Sequence, residues 1–162
     1  MKSVVFLDVD GVLNTKKSCV HAPSGIYVGI DEARVEILSK IMKLYCIEGV
    51  VLTSTWKNLK NDDEDYIYLV ESLNKQGIEI FGKTEEKQER QRAEGVLCFL
   101  KEHPEIEEFV ILDDQHYGFG DYQKLWENFI DTKGKGIEYG TTASKTPTVT
   151  SILFEDAIKK YS

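Results

Sequence analysis

Val4-Val5-Phe6-Leu7-Asp8-Val9-Asp10-Gly11-Val12-Leu13-Asn14 is the stretch on which the reading of the whole chain turns. Residues 4–9 form a nearly continuous apolar run that ends in acid. A run this short, without polar alternation, predicts a strand buried on both faces. Asp8 and Asp10 fall on one side of an extended strand end, because side chains alternate with period two. Gly11 allows the backbone a sharp or close path that a side chain would block.

Two further apolar runs end in the same manner. Val50-Val51-Leu52 opens into Thr53-Ser54-Thr55-Trp56, and Phe109-Val110-Ile111-Leu112 opens into Asp113-Asp114. Helical spacing separates them. Val35, Leu38, Ile41, Met42 and Tyr45 mark a helix from Asp31, its predicted N-cap, to about Tyr45. Tyr66, Leu69, Val70 and Leu73 mark a second from Asp62 to Gln76, ended by Gly77. Val96, Leu97, Phe99 and Leu100 mark a third from about Gln88 to Glu102, stopped by Pro104. Ile78 to Phe81 alternates and predicts a short edge strand, and Asn128 to Asp131 a further strand. Gly134 to Thr148 reads as loop and Ile152 to Tyr161 as a closing helix.

Strands alternating with helices predict an α/β fold, a mostly parallel sheet with helices on both faces in three layers. Ligands of such sheets bind outside the carboxyl ends of the strands. All three strong strands finish there in reactive residues: Asp8 and Asp10, Thr53 and Ser54, Asp113 and Asp114.

The 162 residues suit one domain spanning 1–162, with no linker, repeat or low-complexity tract. Three scattered cysteines without C-x-x-C spacing predict reduced thiols, with Cys46 and Cys98 as apolar filler on helices. No apolar run has membrane-spanning length, and acids at 8 and 10 interrupt the N-terminal stretch that superficially resembles a signal peptide. A cytoplasmic location is therefore expected. The net charge of −8 argues against broad attraction to nucleic acid or anionic membrane. Nucleic acid is expected only as an end-phosphate substrate, and the oligomeric state leaves no trace in the sequence.

Four carboxylates at one sheet edge repel. Two unit charges about 4 Å apart cost roughly 4 kcal/mol at an effective dielectric near 20. A hard divalent cation with oxygen ligands relieves this, and magnesium typically takes one or two carboxylates, substrate phosphate and waters. One carboxylate can then attack phosphorus while another protonates the leaving oxygen and later activates water. Phosphoryl transfer further needs donors and positive charge around the phosphate oxygens. Thr53 or Ser54 supplies the former, and an Arg or Lys opening a neighbouring helix the latter.

These residues carry a resemblance. Asp8-Val9-Asp10-Gly11-Val12-Leu13 resembles the first motif of the haloacid dehalogenase (HAD) superfamily, Leu52-Thr53-Ser54 the second, and Ile111-Leu112-Asp113-Asp114 the fourth. Arg92-Ala93-Glu94 is similar to an Arg-x-Glu element of a compact, minimal-cap, phosphatase-like subgroup. That subgroup carries D-V-D-G-V-L-N, Ser/Thr-x-Trp and I-L-D-D in the same order. The resemblance covers the chain to about Asp114 and implies a HAD-like Rossmannoid fold. It implies a magnesium-dependent phosphomonoesterase with Asp8 as nucleophile and metal ligand. Asp10 becomes the acid/base and gives its backbone carbonyl to the metal. Thr53 or Ser54 binds phosphate, Arg92 neutralises the phospho-aspartyl intermediate, and Asp113 and Asp114 complete the metal site. Lys83, Lys87 and Arg90 compete with Arg92, and Trp56 and Lys57 follow the second motif as candidate substrate contacts.

Cap domains of the superfamily enter at two places. Here residues 14–30 hold only a flap hairpin, and the second slot little beyond one helix and one strand. No separate cap domain is expected. An open site suits a bulky or exposed phosphate, on a protein or a nucleic-acid end, more than a small enclosed metabolite. A receiver-like phospho-acceptor is the main alternative, but receivers carry the acid pair on the first strand, whereas here D-x-D comes first. A catalytically silent interaction module is the other.

Overall fold

The computed structural model describes residues 2–162, and position 89 through its backbone only. Six strands form one sheet in the order β3-β2-β1-β4-β5-β6: β1 (Lys2–Leu7), β2 (Gly49–Leu52), β3 (Ile80–Lys83), β4 (Ile106–Asp113), β5 (Phe129–Asp131) and β6 (Thr141–Thr142). The first five are parallel, and β6 runs antiparallel to β5. The helices are α1 (Glu32–Leu44), α2 (Glu64–Asn74), α3 (Arg92–Glu102), the single-turn α4 (Gln123–Trp126) and α5 (Val149–Tyr161).

Alternation along the strands builds two cores. Val5, Leu7, Val50, Leu52, Val110 and Leu112 point to the face covered by α1, α2 and α5. Val4, Phe6, Val51, Phe109 and Ile111 point to the face covered by α3 and α4. Phe6 meets Phe99 and Phe109 edge-to-face, with centroids 5.9 and 5.6 Å apart. Full burial of each such side chain contributes about 1.5–3 kcal/mol, so these layers fix where the strands end. The expected α/β, three-layer Rossmannoid arrangement is the observed one.

Register decides the site. Leu7 pairs with Leu52 on one side and Leu112 on the other, so β1, β2 and β4 finish level. The ladder runs one residue further: Asp8 N–H donates to the Leu112 carbonyl and Thr53 N–H to the Leu7 carbonyl, each at 3.0 Å.

Several boundaries differ from the sequence expectations. Beyond Asp8 the chain curls instead of staying extended: the amides of Val12 and Leu13 donate to the Val9 carbonyl, and Gly11 adopts φ +83°. Asp10 therefore leaves the strand direction. Ile78 is spent closing α2, its amide bonded to the Leu73 carbonyl after Gly77 at φ +77°, which moves β3 to Ile80–Lys83. Helix α3 starts at Arg92, preceded by a tight turn over Glu89–Gln91. Thr148 caps α5 through its hydroxyl, so the helix starts at Val149, three residues ahead of the expected start. The segment read as loop contains β6, a two-residue strand too short to show periodicity. The flap has a single bridge, His21 to Val28, and is pinned instead by Ser24, whose amide and hydroxyl both donate to Asp65. Cys46 and Cys98 are exposed, as is Cys19, and do not fill a core. Among the described residues, no helix is long and apolar enough to cross a membrane.

Candidate active site

The level strand ends bring three acids together. One oxygen from each of Asp8, Asp113 and Asp114 lies within 4.8 Å of the others. Asp8 and Asp113 are buried. Arg92, the first residue of α3, is buried against both: its Nη1 lies 3.2 Å from Asp8 Oδ1 and donates to Asp113 Oδ2 at 2.7 Å. The Tyr117 ring stacks on its guanidinium carbon at 4.2 Å. Asp113 Oδ1 accepts the amides of Asp114 and Gln115, which fixes the carboxylate.

One guanidinium does not balance three acids. Burial, then repulsion from Asp113 and Asp114, pushes the Asp8 carboxyl well above its usual range despite Arg92. Burial likewise pushes Asp113 up to about 7, against the pull of Arg92. Burial also works against the Arg92 charge, and Asp113 and Asp8 outweigh it, holding the guanidinium above its ordinary value. This is a short-range surplus of hard oxygen donors, and it fits a divalent cation. Gly11 is part of the fit. Besides its positive φ, a Cβ there would collide with the Asp114 carboxylate. Thr132 Oγ1 (2.7 Å) and Gly136 N–H (3.1 Å) both donate to the Gly11 carbonyl and hold the loop in place.

Thr53 and Ser54, left as alternatives by the sequence, have different surroundings. Ser54 Oγ accepts the Trp56 amide, capping a tight turn over Thr55–Asn58. Thr53 Oγ1 is fully buried with no hydrogen-bond partner among the described residues. An orphaned buried hydroxyl on the residue that follows β2, level with the end of β1, is a vacant donor for a ligand oxygen.

The carboxylate of Asp10 stays outside the acid cluster. It is exposed at the cleft and accepts from Trp56 Nε1 (3.2 Å) and Asn14 Nδ2 (3.0 Å). Trp56 is wholly buried, and Lys57 is buried with its Nζ on Thr84 Oγ1 (2.9 Å) and Glu86 Oε1 (2.5 Å). The competitors of Arg92 lie elsewhere: Lys83 Nζ sits over the Tyr66 ring, and Lys87 and Arg90 are exposed. Sequence reasoning missed Asn14, Thr84, Glu86, Tyr117 and Thr132. None lies on a periodic element, and only Asn14, four residues after Asp10, and Tyr117, three after Asp114, are close to a motif acid, which was the available signal.

A parallel sheet whose strand ends carry D-x-D, a buried Thr and an acid pair around one guanidinium defines a hydrolase domain of the HAD type. Residues 4–139 match the family described as "HAD domain in Swiss Army Knife RNA repair proteins", and the chain belongs to that family. Enzymes of HAD type typically use a divalent metal, in keeping with the acid cluster. No curated protein and no solved structure matches the chain.

Proposed function

We propose that the protein is a magnesium-dependent phosphomonoesterase that removes an end phosphate from RNA through a phospho-aspartyl intermediate on Asp8. The observation that carries this reading is the gathering of Asp8, Asp113 and Asp114 within 4.8 Å around Arg92, next to a cleft that Asp10, Gly11 and Asp114 line. In the first step an Asp8 oxygen attacks phosphorus, the Asp8–phosphorus bond forms, and the ester P–O bond breaks. Asp10 gives its proton to the departing oxygen. In the second step Asp10 takes a proton from water, whose oxygen displaces Asp8 and yields inorganic phosphate. Thr53 Oγ1 donates to a phosphoryl oxygen, and Arg92 balances the charge accumulating on Asp8. Asp8, Asp113 and Asp114, with the Asp10 backbone carbonyl, would hold the magnesium, which supplies charge neutralisation on the transferred group.

RNA is favoured over a phosphoprotein by two observations. One is the family description. The other is the balance of charge along the cleft. Asp31 and Glu138 are held by Arg34 and Glu32 by Lys75, which leaves Asp10, Glu71 and Asp114 beside four exposed lysines, Lys16, Lys17, Lys133 and Lys135, that likewise have no ion-pair partner among the described residues. Free lysines at the mouth of an otherwise acidic protein suit a backbone of repeating phosphates.

The purified protein is expected to release phosphate from p-nitrophenyl phosphate and from end-phosphorylated oligoribonucleotides, but not from phosphopeptides, and to stop on addition of a chelator. Chelator-resistant turnover would remove magnesium, and preference for phosphopeptides would remove RNA. Thr53→Val is expected to weaken inhibition by inorganic phosphate about tenfold, the worth of one hydrogen bond to a charged group, at unchanged or raised Tm. Leaving the orphaned hydroxyl unpaired costs about 1–3 kcal/mol, and the apolar isostere removes that cost. A lowered Tm with unchanged phosphate inhibition would instead mark Thr53 as structural.

A further inference from the structure

Trp56 is among the largest fully buried side chains, yet it adjoins an exposed carboxylate. A packing role alone could be met by Phe or Leu. A buried indole N–H, however, requires a partner, and here the partner is Asp10 Oδ2 at 3.2 Å. The other oxygen, Oδ1, accepts Asn14 Nδ2 at 3.0 Å. Each oxygen of a single cleft-facing carboxylate is thus held by one donor.

Both donors are themselves fixed by the same stretch of the flap. The Tyr27 ring lies against the Trp56 indole, centroids 4.8 Å apart at 41°. Asn14 Nδ2 also donates to the carbonyls of Val28 (3.3 Å) and Gly29 (3.0 Å), while its Oδ1 accepts the Gly11 amide at 3.0 Å. From the other side the Trp56 backbone is held by the Ser54 hydroxyl. The indole is therefore anchored between the strand-end turn after β2 and the flap. Its N–H is the one polar atom of the side chain, and it is directed at Asp10.

We propose that Trp56 is the positioning residue for the acid/base carboxylate of Asp10, and that Tyr27 couples the flap to that carboxylate through the indole. This rests on the phosphomonoesterase reading above. In phosphoryl transfer to Asp8 the proton moves from Asp10 to the ester oxygen as the P–O bond breaks, and the direction of that transfer is set by how the carboxyl is held. A p-nitrophenolate leaves as a stable anion and needs little proton help. A ribose hydroxyl is a poor leaving group and depends on the proton. Trp56 then governs reaction with alkyl-type esters and not with activated aryl esters.

The test compares kcat/KM, which reports steps through phosphoryl transfer to Asp8, on p-nitrophenyl phosphate and on an end-phosphorylated oligoribonucleotide. Two variants are used: Trp56→Phe, and a protein with 3-benzothienylalanine installed at position 56. In the latter, sulfur replaces the N–H in a ring of nearly the same shape, so the contact with Tyr27 and the fold are kept even if Trp56→Phe fails to fold. The oligonucleotide value is expected to fall at least about tenfold, part of the ~10²–10⁴ that general acid catalysis provides, while the aryl value stays within about threefold. On an Asp10→Asn background the isosteric change is expected to have no further effect. An equal fall on both substrates, no fall on either, or an additive loss on the Asp10→Asn background would overturn the proposal. Wild-type protein that releases phosphate from neither substrate would overturn the phosphomonoesterase reading itself, and this inference with it.

Discussion

Asp8→Asn is expected to abolish turnover and to leave the protein folded with a Tm equal to or above that of the wild type. The two side chains have the same shape. The Asn carbonyl oxygen can accept from Arg92 Nη1, now 3.2 Å from Asp8 Oδ1, and its amide can donate toward Asp113 or Asp114. Removing the charge relieves what pushes the Asp8 carboxyl upward, namely burial and the neighbouring acids. Stability therefore has little to lose. Activity has nearly everything to lose, because an amide oxygen is a poor nucleophile and no acyl phosphate forms. A loss of at least about 10³-fold, corresponding to about 4 kcal/mol of barrier, is expected in aryl phosphate hydrolysis. Acid quenching during turnover should trap phosphorylated wild-type protein and none of the variant. Activity within about tenfold of wild type would remove Asp8 from the nucleophile's role.

The contrast between a stable fold and a lost reaction follows from what the sequence did and did not disclose. Val4–Leu7, Val50–Leu52 and Phe109–Leu112 are readable as strands because both faces are buried, which leaves no polar residue to blur the pattern. Once those strands are parallel and level, the groups after them must meet, so Asp8, Asp113 and Asp114 could be grouped from sequence alone. Arg92 was one of four candidates. Its selection turned on the start of α3, which places the guanidinium over the sheet edge. Local features with no period were beyond reach. The curl after Val9 takes Asp10 away from Asp8, and it depends on two hydrogen bonds to one carbonyl. The different surroundings of Thr53 and Ser54 arise from a four-residue turn. The contact between Asp10 and Trp56 spans 46 positions and exists only because β1 and β2 are neighbours. The Lys57–Thr84–Glu86 network likewise needs the pairing of β2 with β3.

Arg92→Met is expected to be the most destabilising single change at the site. The side chain is almost fully buried, and its Nη1 serves two buried carboxylates at once. Removing it leaves Asp8 and Asp113 facing each other with no guanidinium between them, and breaking a buried pair in this way costs about 3–5 kcal/mol. For a domain of this size each kcal/mol lowers Tm by about 2–4 °C, so a fall of roughly 6–20 °C is expected in a chelator-containing buffer. Activity should fall as well, since Arg92 is the cation in direct contact with Asp8, and Lys57, the other buried cation near it, is already engaged by Glu86. Stability and activity separate in the double variant Arg92→Met with Asp113→Asn. Neutralising Asp113 removes one of the two uncompensated charges, so most of the lost Tm should return while turnover stays absent. Added magnesium should also raise the Tm of Arg92→Met more than that of wild type, because the acid cluster then lacks the guanidinium that contacts Asp8 and Asp113 directly. If Arg92→Met melted within about 2 °C of wild type, the guanidinium would be a packing partner of Tyr117 and not the counter-charge of the site.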